Sequence, residues 1–240
     1  MLKFDVAGKV PSGATIASAE LTLTVVRIPG PAVNSNFDLH RLLEPWGEGN
    51  KNSTTGLQAT TGESTWISRF FLLPQWAAPG GAPGTDFLTA VSASTFVQGL
   101  GEYTFAATSN LTADVQFWLD NTNANFGWIL LSQAEATAST ARRFASREAA
   151  TGAPVLVVNY LLPPLVTNLT RQDSNLTFQF NVEAGYDYAV EYADAIPATN
   201  WVTLTNFGAK LAGFEATVTN SLDAAPSRFY RLSRVPCGCR

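Results

Sequence analysis

Arg147 and Glu148 adjoin in FASREAATGAPVLVVNY, residues 144–160, ahead of a short loop and an apolar β-type run. A guanidinium beside a carboxylate at that place can act as a catalytic pair or as a structural clip that pins the strand that follows. Catalysis would call for a nucleophile or a second acid at a recognisable spacing. None stands out, so the pair reads as a clip. His40 is the single histidine, and a histidine-based zinc site or a Ser-His-Asp triad would rest on it alone. Inside an alternating segment it reads as an ordinary strand residue. Asp120, Asn121, Asn123 and Asn125 carry the hard oxygen atoms that calcium prefers, and calcium is the one cofactor they suggest. They lack an EF-hand's spacing and closing Glu. They also stand where a helix must turn into a strand, which makes turn formation the simpler role.

Cys237 and Cys239 flank a glycine in the last four residues. Two cysteines that close do not readily form a relaxed disulfide with each other, so in an oxidising setting they point to an intermolecular bond or to a tail without a role. Asn52, Asn110, Asn168 and Asn175 open Asn-X-Ser/Thr triplets and are candidate glycosylation positions. Among the aromatic residues, Trp66, Trp118 and Trp128 fall in patterned segments and are expected in the core. Trp46 and Trp76 lie beside loops, where a flat ring either stacks on a sugar or covers the edge of a sandwich. If the chain binds a polysaccharide, Trp46 and Trp76 would stack, and Arg41 and Arg69 would read the carboxylates of an acidic glycan.

The elements that must position these residues are strands. Hydrophobic residues make up 46% of the 240, charged residues only 14%, with 13 Pro and 18 Gly, a balance that suits a globular, β-leaning chain of two domains. A net charge of −4 without a cluster of Lys or Arg argues against nucleic acid as partner, because that binding draws on phosphate neutralisation. No apolar run approaches the roughly 20 residues needed to cross a bilayer as a helix. Met1 leads into LKFDV, with Leu2, Phe4 and Val6 on one face, and no signal peptide precedes it. Residues 17–28 place Ala19, Leu21, Leu23 and Val25 on one face of a strand, and 36–46, 65–73 and 101–108 are also read as strands. Residues 47–65 and 74–87 are loops rich in Gly, Thr or Pro. The stretch 109–121 spaces Leu111, Val115, Trp118 and Leu119 for an amphipathic helix, with Ser109 as N-cap and Asn121 ending it in a left-handed turn. FGWILLS (126–132) and APVLVVNY (153–160) are apolar enough to be central strands. After a Pro-rich linker at 161–165, residues 166–240 alternate at period two with the spacing of a small antiparallel sandwich, immunoglobulin- or fibronectin-like.

Five blocks in order carry a resemblance over residues 1–160: LKFDVAGKVPSGATIASAELTL, EPWGEG, GESTWISRF, ADVQFWLDNTNANFGWILL and RRFASREAATGAPVLVVNY. Together they resemble the DNRLRE-domain family, secreted or cell-surface bacterial β-sandwich domains of jelly-roll character related to a carbohydrate-binding module. The resemblance implies an all-β, jelly-roll-type sandwich with one short helix, places Arg147 and Glu148 in the family's closing signature, and implies one or two strands upstream of LKFDV that are missing here. The last 75 or so residues resemble modules found at the C-terminal end of secreted proteins of environmental bacteria.

The expected function is therefore a non-catalytic extracellular or cell-surface protein that binds carbohydrate or adheres. The alternative is a structural subunit of an extracellular fibre, in which copies exchange strands to satisfy an incomplete sandwich edge. An enzyme is the least supported class. The expected partners are a polysaccharide or other copies of the chain.

Overall fold

The computed structural model describes residues 1–51, 56–222 and 227–236. The chain divides into two compact units, Met1–Leu162 and Pro163–Arg240. Both are antiparallel β-sandwiches, so the fold is all-β with one short helix.

The first unit contains β1 (Thr15–Arg27), β2 (Ser35–Arg41), β3 (Ala93–Val97), β4 (Gly101–Phe105), helix α1 (Ser109–Asp120), β5 (Trp128–Ser132), β6 (Arg143–Phe144) and β7 (Val155–Leu161). One sheet is ordered β3-β2-β5. In the other, long β1 pairs with β4 on one side, and with β7 and then β6 along the other. The inward face of β1 follows the alternation of its sequence: Ala19, Leu21, Leu23 and Val25 are buried. Ile16 is buried as well, three positions before Ala19, because the register shifts between Ile16 and Ser18 and resets the phase. Phe37 and Leu39 of β2, Val97 of β3, Phe105 of β4 and Trp128 of β5 fill the space opposite β1. Leu111, Val115, Trp118 and Leu119 of α1 complete the same core, with the Trp118 and Trp128 rings 4.4 Å apart edge to face.

Several local expectations change. Helix α1 is capped by Thr108, whose Oγ1 accepts from the Leu111 amide at 2.9 Å, not by Ser109. Asn121 ends the helix at φ −129°, ψ 69°, outside the left-handed region, and its side-chain amide donates to the Phe117 carbonyl. LKFDV is not a continuous strand: Leu2 alone pairs with Trp128, and Asp5 accepts from the Gly8 amide to turn the chain. Residues 65–73 form turns, because Thr65 Oγ1 accepts from the amides of Ile67 and Ser68 and diverts the backbone from a ladder. The ring of Trp66, expected in the core, is consequently 62% exposed. It lies against Gly80, where a Cβ would come within 2.3 Å of the indole and φ is +84°.

The second unit contains β8 (Val166–Gln172), β9 (Asn175–Val182), β10 (Tyr186–Ala193), β11 (Val202–Phe207), β12 (Phe214–Ser221) and β13 (Phe229–Pro236). Sheet β8-β9-β12 faces sheet β11-β10-β13, the two-sheet division of immunoglobulin- and fibronectin-type sandwiches. Alternate residues Phe178, Phe180 and Val182 of β9 meet Tyr188 and Val190 of β10 and Ala216 and Val218 of β12 in its core. The strand spacing of the sequence anticipates this unit closely.

Candidate functional site

A cleft of about 1000 Å³ opens in the first unit between β5 and the segment that follows β6. Its floor is apolar, with Leu23, Trp118, Leu130, Leu2, Phe4 and Phe144. Two polar atoms there are buried without a hydrogen-bond partner, the Trp118 Nε1 donor and the Asn125 Oδ1 acceptor. Lys3, Asp5, Glu48, Arg147 and Glu148 stand around it, with Trp46 and Ser146. The site therefore combines an apolar interior with a charged surround.

Arg147 and Glu148 are placed at this cleft. The Arg147 Nε donates to Glu148 at 2.7 Å and its Nη1 to Glu48 at 3.0 Å, so the pair ties the loop after β6 to the start of the 47–65 loop. Mutual hydrogen bonding, chiefly from Arg147, holds the Glu148 carboxyl below its ordinary pKa, and Glu148 in turn raises that of Arg147. The Arg147 side chain is 70% exposed, so the clip works in water and at the surface.

Trp46 reaches the cleft with its indole N–H donating to the Phe126 carbonyl at 2.7 Å. Trp76 is buried, donates to the Thr65 carbonyl at 3.0 Å, and shares with Trp46 an apolar cluster around Leu42, Phe87 and Ile129. Both rings cover the outer side of sheet β3-β2-β5, so Trp76 cannot stack on a sugar. Arg41 is corrected likewise: its guanidinium lies beneath α1, 3.3 Å from Asp114 and 3.9 Å over the Phe117 ring. Arg69 pairs with Glu44. The four residues expected to read a glycan thus form no common surface.

His40 donates through Nδ1 to the Leu88 carbonyl at 2.9 Å and packs on Phe87. The oxygens of Asp120 accept from Gln116, Asn121 bonds to Phe117, and Asn125 donates to the Phe4 carbonyl at 2.8 Å. With Asn123 exposed on the 3₁₀ turn Thr122–Ala124, these four side chains serve separate turn contacts and do not converge on a cation. Among the described residues no group of three or more His, Cys, Asp or Glu is placed to hold a metal ion, and no helix is long and apolar enough to cross a membrane. Of the Asn-X-Ser/Thr positions, Asn110 donates its amide to the Val91 carbonyl, Asn168 to Gln179, and Asn175 opens β9 on the surface. Asn52, Cys237 and Cys239 lie outside the described residues.

Sequence reasoning missed Asp114. It sits on the buried stripe of α1, accepting from Ser92 Oγ at 2.5 Å and from Trp128 Nε1 at 2.9 Å beside Arg41. Burial raises its pKa, against the lowering effect of those partners. The signal was present: Asp114 stands three positions after Leu111 and four before Trp118, where an amphipathic helix carries apolar residues.

Comparison with models of known families, with curated proteins and with solved structures finds no match.

Proposed function

We propose that the chain is a non-catalytic adhesive module of an extracellular or cell-surface protein, and that the cleft of the first unit is its ligand site. The observation that carries this reading is the cleft itself, an apolar floor within a charged surround. The low charged fraction and the resemblance of residues 1–160 to secreted sandwich domains support the setting. A polysaccharide would meet Trp46 and the Arg147–Glu48 pair at the mouth. The fibre reading draws on a different observation, the unpaired outer edge of β5.

Ser146 is exposed at the cleft, so Ser146→Trp narrows the mouth without touching the core. The wild-type protein is expected either to be retarded by acidic or neutral polysaccharides in affinity electrophoresis or to self-associate in analytical ultracentrifugation. The variant should lose that property at an unchanged melting temperature. A wild type that does neither, or a variant that keeps the interaction, refutes the site.

A further inference from the structure

Strand β5 has a partner on one side only. Its pairing with β2 places the hydrogen-bonded rungs at Ile129 and Leu131, and the Gln133 amide continues the series to the Asn36 carbonyl. The backbone N–H and C=O of Trp128, Leu130 and Ser132 therefore point the other way. Trp128 is satisfied there by Leu2, which both donates to it and accepts from it at 2.8 Å. Leu130 and Ser132 have no backbone partner among the described residues, and Leu130 lines the cleft. Leu2 thus makes one rung along this edge, and the next two are open in register with it.

We propose that the cleft accepts an extended polypeptide strand that runs antiparallel to β5, in line with Leu2, and pairs its backbone with Leu130 and Ser132. The proposal rests on the adhesive-cleft reading and names its ligand. Open peptide groups on alternate residues of a strand recur about every 6.8 Å, a spacing that another strand matches rung for rung. The side chains the partner must carry also follow. A residue opposite Leu130 faces the main core with Leu2, Phe4 and Trp118. Its neighbours face the other side of the sheet, where Ile129, Leu131, Phe126 and Trp46 form the outer cluster. The incoming strand is consequently apolar on both faces, unlike the alternating strand that suits a sheet with one wet face.

The test uses the whole 240-residue chain, isotopically labelled, with a synthetic heptapeptide of Val, Ile and Thr flanked by lysines as probe. Saturating peptide is expected to slow amide exchange at Leu130 and Ser132 by at least about tenfold, and to change Ile129 and Leu131, already paired with β2, far less. The same peptide N-methylated at every residue keeps its side chains but cannot donate, and should fail to protect. Equal binding of the N-methylated peptide, or binding that leaves Leu130 and Ser132 exchanging freely, overturns strand addition while leaving the cleft a ligand site. Protection of Leu130 and Ser132 that persists in Ser146→Trp shows that the strand pairs with β5 without passing the cleft mouth, and refutes the cleft as its site. Retention of a polysaccharide that protects neither amide makes the ligand a glycan and overturns the strand alone.

Discussion

Asp114→Ala tests the polar centre that joins α1 to sheet β3-β2-β5. The carboxylate accepts from Ser92 and from Trp128 Nε1 and lies 3.3 Å from Arg41, and at 7% exposure it is shielded from water. Removing it strands a buried hydroxyl, a buried indole N–H and a guanidinium whose Nε and Nη1 already lack other partners. Breaking one side of a buried ion pair typically costs 3–5 kcal/mol, and Arg41 keeps some access to water, so about 3 kcal/mol is expected. For a unit of this size that is a fall of roughly 6–12 °C in melting temperature, read from the fluorescence of the buried tryptophans. Asp114→Asn keeps an acceptor oxygen and should cost about half as much. The pH dependence gives a second reading. Burial raises the folded-state pKa of Asp114 above its ordinary value of 3.8, so the folded protein binds the proton more tightly than the unfolded chain. Stability from this group is greatest below 3.8 and falls as pH rises through the raised value. The gap between wild type and Asp114→Asn should therefore narrow as pH rises through that window. An alanine variant losing less than about 1 kcal/mol would refute the network argument, and a gap that widens with pH would refute the role given to burial.

Three further outcomes are expected. Glu63 accepts from Lys51 and from the Thr60 amide, which lower its pKa from 4.5 to about 2. Its hold on Asn50, Lys51 and Thr60 should persist above 4.5 and disappear as pH falls from there to about 2, seen as faster exchange of the Thr60 amide after correction for intrinsic rates. Lys51→Met should move that loss to higher pH. Gly127→Ala would set a Cβ 1.9 Å from the Leu2 carbonyl at φ +79°. It should cost about 1–3 kcal/mol and release the Leu2 rung, which exchange at the Leu2 and Trp128 amides would report. Arg147→Met, which removes solvent-exposed pairs, should leave the melting temperature unchanged; a fall like that of Asp114→Ala would make the clip structural in earnest.

Periodicity made the regular elements legible. The alternation in β1, the helical spacing of Leu111, Val115, Trp118 and Leu119, and the evenly spaced strands of the second unit each express a face that must be buried. The 65–86 stretch was opaque because side chain-to-backbone bonds shape it. Asp86, 2% exposed, accepts from the amides of Ala77 and Ala82, and Thr65 from Ile67 and Ser68. No hydrophobic period encodes such contacts. The site was legible only at its margin. Arg147, Glu148 and Trp46 were picked out for their chemistry, whereas Leu23, Trp118, Asn125 and Leu130 come together from four separate segments of chain.

FGWILLS and APVLVVNY both read as central strands, yet β5 and β7 each pair with a single neighbouring strand. The two discrepancies have different physics. In β7 the outward Val155 and Val157 are 51% and 49% exposed, so its apolar character is spent partly on water and one face of the strand stays wet. In β5 both faces are covered: Trp128 and Leu130 pack into the main core, and Ile129 and Leu131 into the cluster of Trp46 and Trp76. A strand covered on both faces whose edge groups stay open is built as an interior strand and stands at an edge. Burying its faces strengthens any hydrogen bond made along that edge, because water competes less there. The anomaly of β5 is thus the argument for a partner at β5 and not at β7. Where peptide and protein meet, exchange should slow at Leu130 and Ser132 while the outer edge of β7 continues to exchange as in the free protein.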